Sequence, residues 1–144
     1  MSTALSKESI RFPKKYLDEH QDLKETIDDL DFLSHEEDES GIIIFWDDNP
    51  DANTCFDEVI EFLENNRLPY DCWIPFGDGF SKLFYRPDLR DKAFELSDDE
   101  EIMIPASSLK NLDRGNGCYA DLGYRFAEFL DKNVPDLPSI ESYV

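Results

Sequence analysis

A chain of 144 residues with 40% hydrophobic and 13% aromatic content has the length and apolar supply of one globular domain around one core. The formal net charge of −20, from 34 acidic and 14 basic residues, disfavours direct binding to nucleic acid and leaves a cationic partner or a strongly solvated surface as readings of the acidity. No apolar run approaches the roughly 18 residues of a membrane span, and the amino terminus lacks a signal peptide's apolar segment, so a soluble, cytoplasmic protein is expected.

Residues 1–12 read as a polar, loosely ordered start. Pro13 suits a first helical turn, and Tyr16, His20, Leu23, Ile27 and Leu30 recur at spacings of four and three, which predicts an amphipathic helix over about Pro13 to Leu33. S-H-E-E-D-E-S-G follows and reads as a loop, because its four consecutive carboxylates repel one another. Ile42–Trp46 is a β-branched and aromatic run suited to a strand buried on both faces. A second helix, about Thr54 to Asn66, sets Phe56, Val59, Ile60 and Leu63 on one face. With the extended run Leu68–Pro75 it predicts a β-α-β unit.

Gly77-Asp78-Gly79 predicts a tight turn, and Lys82–Arg86 the return strand of a hairpin whose outer face balances its bases with nearby acids. Ala93–Leu96 and Glu101–Ile104 are short strand candidates, and Ser107–Leu112 a short helix. A last helix, about Ala120 to Asn133, is expected to turn Leu122, Phe126, Phe129 and Leu130 inward. Residues 134–144 read as a loosely packed tail. The expected architecture is α+β, a single domain with a small, mostly antiparallel sheet and two or three amphipathic helices packed against it.

Asp47, Asn49, Asp51 and Glu58 fit positions 1, 3, 5 and 12 of a calcium-binding EF-hand loop, which needs oxygen ligands at that spacing. Ala52 replaces the glycine such a loop requires, Pro50 stiffens it, and the element before it reads as a strand. The simpler reading makes Asn53 or Thr54 an N-cap, with Asp57 and Glu58 in the first helical turn, where the dipole favours negative charge. No metal or other cofactor is therefore assigned.

Residues 21–66 hold 16 acids against the single base Lys24. Asp22, Glu25, Asp28 and Asp29 on the first helix and Asp57, Glu58, Glu61 and Glu64 on the second lie at spacings where like charges cost a few tenths of a kcal/mol per pair. From Asp57 to Glu64 there is one charge per roughly 2.6 Å of helix rise, between the one per about 1.7 Å of duplex DNA and 3.4 Å of a single strand. These eight residues are the candidate partner-binding set of an acidic protein that occupies a basic macromolecule in the manner of a DNA mimic, an inhibitor or a toxin-immunity protein. The partner class is a basic protein, either nucleic-acid-binding or a cationic toxin, and Trp73, Phe76 or Phe80 could add an aromatic anchor. The alternative is a small domain whose acidity is only solvated surface.

Signals for catalysis are weak. His20 lies on the apolar stripe, His35 precedes the carboxylate run, and neither forms a nucleophile–base or H-E-x-x-H arrangement. Cys55, Cys72 and Cys118 are odd in number without a C-x-x-C pair and read as reduced, mostly buried thiols. No catalytic residue is assigned.

Overall fold

A computed structural model describes residues 8–30, 33–47, 56–76, 79–97, 99–112 and 119–144. Strand β1 (Ser9–Pro13) sits in the middle of a six-stranded sheet with β2 (Leu33–Glu37), β3 (Ile42–Asp47), β4 (Tyr70–Phe76), β5 (Gly79–Tyr85) and β6 (Phe94–Leu96). The order is β2-β3-β1-β4-β5-β6, and every neighbouring pair is antiparallel. Because β3 and β4 both oppose β1, they run parallel to each other with β1 between them. Helix α3 (Asp57–Asn65) connects them, so the expected β-α-β unit is present in split form.

The expectation that residues 1–12 form a loose terminus does not hold for Ser9 to Phe12. The alternation of β1 puts Ile10 and Phe12, both fully buried, toward the helices, and sends Ser9 and Arg11 to the other face. Arg11 stands opposite Asp71 of β4 in the register and donates to it, which lets a charged residue occupy a central strand. That partner is sixty residues away in the chain.

The single long helix expected after Pro13 is two short ones, α1 (Lys15–Glu19) and α2 (Gln21–Asp28), parted at His20, whose backbone is extended (φ −130°, ψ 94°). Tertiary packing overrides the local periodicity here. Tyr16 stacks on Phe12 at 5.9 Å, while Leu23 and Ile27 join Val59 and Leu63 of α3 in the core, and the break lets both halves of the stripe reach it. The chain beyond α2 is not helical at Leu33 but enters β2, and the carboxylates expected in a loop lie partly on this edge strand. There they face water and blunt an edge that could otherwise pair with another chain.

Ile42 to Trp46 forms β3 as expected. Its Ile43 and Phe45 face the helices, together with Tyr70 and Cys72 of β4 and Tyr85 of β5. The opposite face carries Trp73 edge-on to Phe84 at 6.5 Å, with Phe94, Leu96 and Arg86 buried near it. Arg86, expected on a hairpin's outer face, is completely buried. Its guanidinium donates to Asp71 (2.7 Å), to the carbonyls of Tyr70 and Tyr85, and to the carbonyl of Pro138 (2.8 Å). Burial holds the Asp71 carboxyl above its ordinary value, against the downward pull of Arg86 and Arg11.

That last bond ties down a tail read as loose. Ile140, in the 3₁₀ turn Ile140–Tyr143, is fully buried, and Tyr143 donates to Asp88 at 3.0 Å. Helix α4 (Ala106–Leu112) and helix α5 (Tyr119–Asn133) lie between the sheet and this tail in the chain. The expected strand Glu101–Ile104 reduces to a single bridge, Ile102 to Leu96. On α5, Phe126 and Leu130 do not turn inward: they are 45% and 38% exposed.

Candidate acidic interface

Helices α2 and α3 pack side by side on one face of the sheet, through Leu23 and Ile27 of the first and Val59 and Leu63 of the second. His20 closes the seam, its ring edge-on to Phe62 at 5.7 Å. Each helix buries a stripe at helical spacing, so its remaining positions must face water. The two sets of predicted acids are thereby brought to neighbouring helices. Asp22, Glu25 and Asp28 of α2 and Asp29 at its C-terminal cap are exposed, as are Asp57, Glu58 and Glu61 of α3.

Among the described residues, no ion pair relieves these seven carboxylates. The helix dipole favours Asp57 and Glu58 in the first turn of α3 and Asp22 in that of α2. It works against Asp28 and Asp29 at the end of α2, and neither helix has a basic residue in its last turn. The field therefore persists where helix electrostatics alone would remove it.

Glu64 differs from the other seven. It is only partly exposed and accepts the Tyr70 hydroxyl at 2.8 Å, while the Tyr85 hydroxyl donates to its backbone carbonyl at 3.3 Å. Burial and that carboxylate together push the Tyr70 phenol far above its ordinary range. Glu64 is thus a structural anchor of α3 against β4 and β5.

The start of α3 also differs from the sequence expectation. The helix begins at Asp57, and its cap position is Phe56, not Asn53 or Thr54, with no side-chain cap. Phe56 is fully buried and donates its N–H to Glu8 at 3.4 Å, so core packing fixes the entry. Burial raises the Glu8 pKa; the Phe56 hydrogen bond lowers it, and the nearby Asp57 and Asp47 raise it further. Asp47 is buried at the end of β3 and Glu58 is exposed on α3, whereas Asn49 and Asp51 of the predicted calcium loop lie outside the described residues. Among the described residues, no group of His, Cys, Asp or Glu side chains gathers to hold a metal.

Of the suggested aromatic anchors, Trp73 is buried at 7% exposure between the Arg11 guanidinium and Phe84 and cannot present a ring to a partner. The side chains of Phe76 and Phe80 lie outside the described ones. His35 is exposed on β2, tilted against Phe45, and Cys72 is a buried thiol. Cys55 and Cys118 fall outside the described residues. No helix among those described is long and apolar enough to cross a membrane. No protein-family model, curated protein or solved structure matches the chain.

Proposed function

We propose that this is a non-enzymatic, cytoplasmic binding protein that presents α2 and α3 to a basic macromolecular partner and occupies its cationic site. The observation that carries the reading is the side-by-side packing of two helices with seven exposed carboxylates that no base among the described residues pairs with. Such a surface releases counterions from a cationic groove and steers association from a distance, as a DNA mimic, an inhibitor or a toxin-immunity protein would. Asp22, Glu25, Asp28, Asp29, Asp57, Glu58 and Glu61 supply the field. Glu64 contributes charge but is held by Tyr70.

The test is capture of a partner from the native host's lysate on the immobilised protein, with elution along a salt gradient. One basic protein released at a defined salt step is expected, and Glu58→Lys with Glu61→Lys should abolish its retention while leaving the circular dichroism and melting temperature unchanged. Retention of the same protein by the double variant would refute the role of this face.

A further inference from the structure

We propose that a cleft on the opposite sheet face binds a basic segment of a partner chain, one that carries an apolar side chain beside its Lys or Arg. The cleft encloses about 530 Å³ between β5, β6 and the chain that follows α5. Its apolar wall includes Phe84, Leu96 and Val134, and its rim includes Glu100, Glu101 and Asp136. Phe84 pairs with Phe94, and Lys82 with Leu96, on the strand positions that alternate away from the helix-facing Leu83 and Tyr85. The cleft is therefore separated from α2 and α3 by the sheet and stands independently of the function proposed for them.

An exposed stripe leads into it. Phe126 and Leu130 of α5 and Val134 just past its end follow one another at four-residue steps, 45%, 38% and 40% exposed, and the Val134 N–H still bonds to the Leu130 carbonyl at 2.8 Å. Residues at that spacing lie on one helix face. Val134 belongs to both features, so the stripe and the cleft form one apolar track ending among carboxylates.

Charge selects the occupant. Among the described residues, no basic side chain lines the cleft and neither Glu101 nor Asp136 enters an ion pair, while Glu100 meets Lys82 at 3.5 Å on its rim. A second copy of a chain with net charge −20 would be repelled. A neutral apolar segment would cover the track but strip water from the carboxylates without replacing it. A segment with Arg or Lys beside an apolar residue satisfies both, because the long aliphatic stems of these residues pack along apolar surface while their charged heads reach the rim.

Fluorescence anisotropy with a labelled peptide alternating arginine and leucine tests the proposal, with two control peptides, serine for every leucine and glutamate for every arginine. The arginine–leucine peptide should bind about tenfold tighter than the serine form, and the glutamate form should not bind. Leu130→Ser with Val134→Ser, both at exposed positions, should erase the preference for leucine. Glu101→Gln with Asp136→Gln should weaken binding, while Glu58→Gln with Glu61→Gln on α3, which removes the same charge, should leave the leucine preference intact. Equal affinity for the leucine and serine peptides, or equal losses from the two charge-removing pairs, would mean that the peptide answers only to overall charge and would overturn the proposal.

Discussion

Replacing Arg86 with Met keeps much of the side chain's apolar bulk and removes its charge and donors. Four consequences follow from the structure. Asp71, 1% exposed, keeps only the partly exposed Arg11, and the carbonyls of Tyr70, Tyr85 and Pro138 lose a donor. Removing one partner of a buried ion pair costs about 3–5 kcal/mol, because the other charge stays buried. That is a large part of the roughly 5–15 kcal/mol that holds a domain folded. Urea denaturation should therefore show a lower midpoint, and hydrogen exchange should show faster exchange at Ser142 and Val144, since Pro138 would no longer be tied to the sheet. Asp71→Leu added to Arg86→Met should cost less than the sum of the two single changes, since no lone charge from that pair remains. A loss below about 1 kcal/mol for Arg86→Met, or strict additivity in the double variant, would refute the account.

Three further outcomes follow from named contacts. Burial raises the Glu8 pKa, so its ionised form is disfavoured in the folded state and stability falls as pH rises from the ordinary carboxylate range through the raised value. Glu8→Gln should raise the melting temperature at neutral pH, with an advantage that fades below about pH 4; a loss at neutral pH would contradict this sign. Ser9 Oγ is buried without a hydrogen-bond partner among the described residues, so Ser9→Ala should be neutral or stabilising by up to about 1 kcal/mol in the same denaturation assay. Gly41 has φ +90° and a Cβ there would stand 2.9 Å from Val144, so Gly41→Ala should cost at least about 1 kcal/mol. Most of that cost should remain when Val144 is deleted, because the backbone strain does not depend on it.

What the sequence made legible is what depends on neighbours in the chain. Ile42–Trp46 is apolar throughout and forms a central strand, and Val59 and Leu63 mark the buried face of α3 by spacing alone. Features that depend on distant partners were hidden. Arg11 and Arg86 look like surface cations until Asp71 is brought between them, and the tail looks loose until Pro138 meets Arg86. Nothing within a few residues of His20 breaks the helix; the break belongs to the packing around Phe12 and Phe62. On α5 the periodicity predicted that Leu122, Phe126, Phe129 and Leu130 turn inward, but Phe126 and Leu130 are exposed, because spacing alone cannot say what an apolar stripe meets. For the candidate interface, the sequence supplied all eight acids, and only the fold separated Glu64, held by Tyr70, from the seven that face water.

The fold also answers whether the acidic field follows simply from a shortage of bases. Arg11 and Arg86 hold Asp71, and Arg86 and Arg90 lie against the rings of Phe84, Tyr143 and Phe94. Lys14 pairs with Glu37, Arg67 with Asp91, and Lys82 with Glu100. Most of these bases stand on β1, β5 or the chain after β5, where they fix strands, ring faces or turns. Lys24 is the lone base on α2, and α3 has none. A protein that needed charge only for solubility could alternate signs along these helices and gain a few tenths of a kcal/mol per i,i+4 pair. Arg11, Lys14, Arg67, Lys82, Arg86 and Arg90 instead bind the protein's own structure, and one helix pair is left almost purely negative, at the cost of self-repulsion. A general demand for negative charge would not require that segregation, and the proposed cationic partner would make use of it. Rising ionic strength should accordingly weaken the proposed complex steeply while raising the protein's own melting temperature modestly, because salt screens the repulsion among the exposed helix carboxylates far more than the attraction within the buried Arg86–Asp71 pair.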